Sequence, residues 1–251
     1  MVTVAIHQPQ YLPWLPYLDK IDQADIFIYL DTVQYQKHGV QNRNRVHGAN
    51  GPVMLTVPVN GRLSHRICDV RIADRKWRRR HIQSLRQGYA RAAHRDRVVA
   101  LTELLAQDWE RLAELNVAVT EWLCAELAIS NRRLRASELN PSPDLHKDDL
   151  VISLVRAVGG DRYLSGVGAA GYQDPAKFLR AGISLAYQQY QRTAYVQHGV
   201  QGFEDALSSV DLVGNVGHGA RGVLLAGRGA DQPAVADGSA VFVPGPIRIH
   251  L

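Results

Sequence analysis

Val2-Thr-Val-Ala-Ile-His7, Pro13-Trp-Leu-Pro-Tyr-Leu-Asp-Lys-Ile-Asp22 and Ala24-Asp-Ile-Phe-Ile-Tyr-Leu-Asp31 follow one another at the start of the chain. Val2 to Ile6 is a β-branched and apolar run halted at His7-Gln-Pro9, which reads as a buried strand stopped by proline. Pro13 to Asp22 places Trp14, Leu15, Leu18 and Ile21 at three- and four-residue spacing, with proline in the permitted first turn, so it predicts a helix. Ala24 to Asp31 is a second apolar run closed by an acid. Strand, helix and strand in so short a span make a βαβ unit, which calls for a right-handed crossover and a parallel sheet. Ligands of such sheets sit beyond the carboxyl ends of the strands. His7 and Asp31 stand at those ends, so topology alone predicts a site there.

Outward from this unit, Thr32 to Gly51 is polar and lacks a hydrophobic period, which predicts a long functional loop carrying Gln34, Lys37, Asn42, Arg43 and Arg45. Met54–Val59 and Ile67–Ile72 read as strands, Arg75–Ala93 and Arg97–Leu127 as helices, so residues 74–128 form a helical insertion. A strand at Leu134–Ser137 and a helix at Asp148–Val158, closed by Gly159-Gly160, come next. Arg162–Gly166 reads as a strand running into a glycine-rich turn. A helix at Pro175–Ala181 capped by Asp174, a strand at Ile183–Tyr190 and a helix at Leu207–Val213 complete the pattern, and residues 227–251 read as irregular. The expected fold is α/β, a Rossmann-like and mostly parallel sheet with an inserted helical subdomain. Residues 1–217 form one domain and 218–251 a C-terminal extension.

The chain has 251 residues, 46% hydrophobic and 21% charged, which is ordinary globular usage and excludes a largely disordered chain. No apolar run approaches the roughly 18 residues of a membrane span, and the start lacks the basic and apolar regions of a signal peptide. Cys68 and Cys124 lie far apart and in no metal-ligand spacing. A reduced, cytoplasmic protein with no membrane association is expected. The net charge of +5 is carried by arginine, since only five of the 29 cationic residues are lysine. Arg75, Lys76, Arg78, Arg79, Arg80, Arg86, Arg91, Arg95 and Arg97 form a block broken by one acid, Asp96. Such a block is either a polyanion-binding surface or a solvated helix face.

Motifs for a P-loop, a dinucleotide fold, a zinc protease, a CxxC pair or a nucleophile elbow are missing, so no cofactor and no metal is expected. His7 to Tyr17 resembles the strand, histidine turn and helix of HIGH-type nucleotidyl transferases. The second histidine of that motif is missing where Leu12-Pro-Trp14 stands.

As a chemical set, His7 supplies a general base, Asp31 an acid that orients it or holds an amine, and Arg43 a fork for a carboxylate or phosphate. Gln8, Tyr11, Trp14, Gln34, Lys37, Asn42 and Arg45 are the expected substrate contacts around them. Ser165 is either a hydroxyl donor at an anion-binding turn or a turn residue. Tyr190, Tyr195 and Gln197 read as part core and part pocket wall. Asp211 and Asn215, one helical turn apart, can face one ligand, although Asn215 also suits a helix end.

His7-Gln-Pro-Gln-Tyr-Leu-Pro-Trp-Leu-Pro-Tyr17, Ala24-Asp25, Leu30-Asp31, Val33-Gln-Tyr35, Gln41-Asn-Arg-Asn-Arg45 and Val57-Pro58 together resemble the WbqC-like family. So do Tyr163-Leu-Ser-Gly166, Tyr172, Gln188 with Tyr190, Tyr195 with Gln197, and Leu207-Ser-Ser-Val-Asp-Leu212 with Asn215 and Gly217. The resemblance implies a role in O-antigen or natural-product assembly and an acyl or aminoacyl transfer of the glycine type, forming an amide or ester on a sugar or secondary-metabolite acceptor. The acceptor would be a small molecule. The donor, an aminoacyl-tRNA, a carrier-protein thioester or a nucleotide adduct, would meet the basic helix 75–97. Two other readings remain open: a nucleotide-dependent ligase or nucleotidyl transferase, and a non-catalytic binding module of a polysaccharide assembly complex.

Overall fold

β1 (Thr3–His7) lies at the centre of a six-stranded sheet, in a computed structural model that describes residues 1–61 and 64–234. It pairs in parallel with β2 (Ile26–Tyr29) on one side and β6 (Arg162–Gly166) on the other. Between β2 and these outer strands the chain forms a separate hairpin, β3 (Arg43–Gly48) with β4 (Gly51–Thr56). β5 (Arg132–Arg135) extends the sheet beyond β2, β7 (Ser184–Gln188) extends it beyond β6, and β8 (Gln232–Pro233) closes that edge antiparallel to β7. The order β5-β2-β1-β6-β7-β8 is the doubly wound Rossmann-like arrangement, with its reversal between β1 and β6.

Side chains alternate across this sheet as a pleat requires. Ala5, Phe27, Tyr29, Leu164 and Ala186 face one side, where α1 (Leu15–Asp22), α2 (Lys76–Gly88), α3 (Arg95–Ala106), α4 (Leu112–Glu126), α7 (Val210–Val216) and α8 (Ala220–Ala226) contribute to one continuous core. Val4, Ile6, Ile26, Ile28, Tyr163, Leu185 and Tyr187 face the other, under α5 (Lys147–Ala157) and α6 (Pro175–Arg180). Each fully buried large side chain adds about 1.5–3 kcal/mol, which explains the unbroken apolar runs of β1 and β2. The helices α2 to α4 enter between β4 and β5 and share the core of α1 and α7.

Several sequence expectations are corrected. The polar stretch 32–51 is not all loop, because its second half forms β3. Its polar residues hid the strand: Asn44 Nδ2 donates to the Leu12 carbonyl at 2.7 Å, and only Val46 and His47 have buried side chains towards its end. The run Ile67–Ile72 is a 3₁₀ turn at Ile67–Asp69 with isolated bridges rather than a strand. The helix expected over 97–127 is two helices, parted where Arg111 turns extended and pairs with Arg71. Helix α7 starts later than expected, at Val210, whose N–H donates to the Ser208 hydroxyl at 3.2 Å. Residues 220–233 carry α8 and β8, so the tail expected to be irregular over 227–251 holds a short strand at Gln232–Pro233, and its part from 235 onward lies outside the described residues. Among the described residues no helix is long and apolar enough to cross a membrane, and no group of three or more His, Cys, Asp or Glu is placed to hold a metal ion. Cys124 is buried and Cys68 half-buried, and both are free.

Candidate functional site at the reversal of the sheet

Where β1 and β6 part, their crossover helices lie on opposite faces of the sheet, and a crevice opens beyond their carboxyl ends. Here it is a cavity of about 440 Å³ lined by His7 and Gln8 from the end of β1, Ser165 and Gly166 from the end of β6, and Lys20 from α1. Asp148 of α5, Tyr163 and Tyr172 form further walls.

The tautomer of His7 follows from its neighbours. Its Nδ1 lies 3.1 Å from the Gln8 carbonyl oxygen, which can only accept, so Nδ1 carries the proton. Burial, reinforced by the charge of Lys20 and opposed by the Gln8 bond, pushes the imidazole down to about 3. The ring is therefore neutral near pH 7, held edge-on against Tyr17 at 5.1 Å, and Nε2 takes no hydrogen bond among the described residues. Lys20 is only 3% exposed, yet among the described residues its Nζ makes a single hydrogen bond, to the Ile6 carbonyl at 2.9 Å. Burial alone lowers this amine to about 7. Asp19, the adjacent acid, turns away to Arg228 at 2.8 Å and Gln188 at 2.6 Å. Burial raises the Tyr163 hydroxyl to about 12.

Of the residues singled out from sequence, His7, Gln8 and Ser165 come together in this crevice. Gln8 Oε1 also accepts from Gln41 Nε2 at 2.8 Å, which ties the crevice to the approach of β3. Asp31 does not share the crevice with His7, contrary to the topological expectation: Leu30 and Val33 line it instead. Alternation at the strand end turns Asp31 towards Ser137, whose N–H and Oγ donate to its two oxygens at 2.9 and 2.7 Å. Arg43 does not fork onto Asp31 either, since its guanidinium donates to the His38 carbonyl. Tyr11 is buried and bonds His81 Nδ1 at 2.8 Å, while Asn42 Nδ2 donates to the Val57 carbonyl at 2.9 Å. Arg45 is half-buried on β3, its backbone carbonyl accepting from Ser208. Trp14 lies under the Arg192 guanidinium, 5.5 Å from its centroid. Gln34 and Lys37 are exposed, and Tyr190 is half-buried at the end of β7.

Gln197, Asp211 and Asn215 meet one another instead of His7. Gln197 and Tyr195 donate to Asp211 Oδ2 at 2.8 and 2.9 Å, and Asn215 Nδ2 donates to the Asp211 carbonyl at 2.8 Å. This buried network braces α7 against the segment before it. The basic block is partly consumed by packing: Arg75 and Arg78 share Asp108 at 3.0 and 2.5 Å, and Arg97 pairs with Glu126. Arg79, Arg80 and Arg91 stay exposed. The hollow of about 570 Å³ beside α2 is larger than the crevice but open, and its walls hold no buried titratable group.

Sequence reading passed over Lys20 because a lysine in the last turn of a helix ordinarily complements the helix dipole from the surface. The one available signal was its place between Leu18 and Ile21 in a helix short enough to be buried on several sides.

These features define a Rossmann-like α/β protein whose ligand crevice carries a neutral imidazole and a buried amine in place of a glycine-rich phosphate loop. The chain belongs to the WbqC-like protein family, whose sequence model matches residues 8–222. It is 31% identical over 221 residues to Uncharacterized protein Rv1507c of Mycobacterium tuberculosis, an alignment covering 86% of this chain and 95% of that one. No solved structure matches the chain.

Proposed function

We propose that the crevice is the active site of a transferase that passes an acyl or aminoacyl group, of the glycine type, to an amine or hydroxyl of a sugar or secondary-metabolite acceptor. The observation that carries this reading is the neutral His7, with Nδ1–H spent on Gln8 and Nε2 left as a base beside Lys20. As the acceptor atom attacks the donor carbonyl carbon, its proton passes to Nε2. The bond from that carbon to the leaving group then breaks, and the proton returns to the leaving oxygen or sulfur. A base held as low as about 3 is weak in the empty site. Negative charge on the donor or on the tetrahedral oxyanion offsets the Lys20 charge and raises its basicity when it is needed. The exposed Arg79, Arg80 and Arg91 suit a polyanionic donor such as an aminoacyl-tRNA or an acidic carrier protein. The reaction would run in the cytoplasm, in assembly of an O-antigen or a natural product.

A second reading, a nucleotide-dependent ligase or nucleotidyl transferase, is favoured by the strand order, since Rossmann-like sheets commonly seat nucleotides at this reversal. Against it, α1 offers a poor phosphate cradle, with proline in its first turn and no glycine-rich entry.

The test is incubation with glycyl-tRNA, a glycyl thioester and glycyl adenylate, and separately with ATP and glycine, in the presence of amino-sugar acceptors, followed by mass spectrometry of the acceptor and of the nucleotide. A glycyl adduct that depends on His7 supports the transferase. Consumption of ATP with nucleotidyl transfer supports the second reading, and binding without turnover of any donor rejects both in favour of a binding module.

A further inference from the structure

We propose that the crevice takes its ligand by an anionic group, a carboxylate or a phosphate, which pairs with the Nζ of Lys20. The inference rests on the reading of the crevice as the ligand site, but it requires binding alone and no group transfer.

A lysine buried to this depth ordinarily has a carboxylate partner, because an isolated ammonium loses its hydration with nothing in return. Lys20 has no acid within 4.0 Å among the described residues, and its one hydrogen bond goes to the backbone oxygen of Ile6 at 2.9 Å. An ammonium has three N–H donors, so two are left towards the crevice that Lys20 lines. A Cβ added at Gly166 would still lie 3.9 Å from Nζ, so the glycine leaves open space above the amine.

The other groups of the crevice do not supply the missing charge. His7 on β1 is neutral, and Tyr163 of β6 and Tyr172 after it are phenols. Asp19 on the same helix is claimed by Arg228 and Gln188. Lys147 of α5 adds a second cation, and Asp148, the one acid of the lining, accepts the Asp174 N–H at 2.9 Å and makes no ion pair with Lys20. The buried Ser165 hydroxyl and the Gln173 side chain add neutral hydrogen-bonding capacity to the lining. A cavity of about 440 Å³ with this lining accepts a small organic anion whose charged end meets Lys20 and whose body runs towards His7.

Calorimetric titration of the full chain with pyrophosphate, AMP and glycine, in buffers of different ionisation enthalpy, tests this. With the free amine at about 7, an anion that restores its ordinary value draws close to one proton onto the protein near pH 8 and little near pH 6. Protonation of His7 would give the reverse pattern, with uptake growing towards acid. Lys20→Met keeps the apolar stem, and its folding is checked by circular dichroism. It should weaken binding by about tenfold to a hundredfold, the usual loss of a hydrogen bond to a charged group, and abolish the uptake near pH 8. Binding of pyrophosphate and AMP but not glycine assigns the anion to a phosphate, and the converse assigns it to a carboxylate. Equal affinity in the Lys20→Met protein, or no binding of any of these anions, overturns the inference. Anion binding through Lys20 without acyl transfer from any donor would reject the transferase alone.

Discussion

The Nζ of Lys20 donates to the carbonyl of Ile6 at 2.9 Å, one residue before His7, so a helix amine sits directly against the strand that presents the imidazole. This places two basic groups in one desolvated corner. Each is pushed towards its neutral form by burial, and the charge of Lys20 adds to the effect on His7. An anion entering the corner relieves both.

His7→Ala should fold as the parent does and lose about 10²- to 10⁴-fold in turnover, the usual contribution of a general base. Because the folded imidazole titrates near 3 and Lys20 near 7, a break near neutral pH in the profile of the free protein should belong to Lys20 and survive in the residual turnover of His7→Ala. A break near pH 6.5 that vanishes in the variant would show that His7 is solvated and the corner open.

Stability should respond to pH through the same two groups. Both fold with lowered values, so the unfolded chain binds more protons, and stability rises with pH from about 3 to 6.5 through His7 and from about 7 to 10.5 through Lys20. Lys20→Met removes the second component. Denaturant unfolding should find it more stable than the parent by about 1 kcal/mol or more at neutral pH, with the gain shrinking towards pH 10. A gain that does not change with pH would mean that the stem, not the charge, is responsible.

Asp31→Ala leaves the Ser137 N–H and hydroxyl without their acceptors in a buried place, at a cost of about 1–3 kcal/mol. Asp31→Asn retains an oxygen for the N–H and should cost less. Equal midpoints for all three proteins in urea would show that water replaces the carboxylate.

Reversal of Arg79, Arg80 and Arg91 to Glu tests the basic surface without disturbing Arg78, which is tied to Asp108. If a tRNA-borne donor docks there, the slope of log affinity against log salt should flatten by roughly two to three units. An unchanged slope would assign these residues to a solvated helix face.

Much of the framework was legible in the residues alone. Strands buried on both faces must be apolar throughout, which made β1 and β2 visible, and Arg162–Gly166 was read with the same bounds the fold gives it. The rule that ligands gather at strand ends pointed to His7, which lines the crevice, and to Asp31, which the fold turns away to Ser137. β3 escaped because Arg43, Asn44 and Arg45 carry no alternating apolar signal, and its register comes from β4 and from the buried network around it. The break between α3 and α4 escaped because both helices continue one apolar pattern, interrupted only by a pairing with Arg71.

Local sequence settled which elements form, since the period of apolar residues is a property of short windows. Which side chains share a site is a property of several elements at once. Asp31 and Leu30 are neighbours on one strand end, and the sheet geometry sends the acid to Ser137 and the leucine to the crevice. Lys20 looks like a surface cation in its helix. It becomes a buried amine with no ion-pair partner among the described residues only because β1 and β6, distant in the chain, close over it.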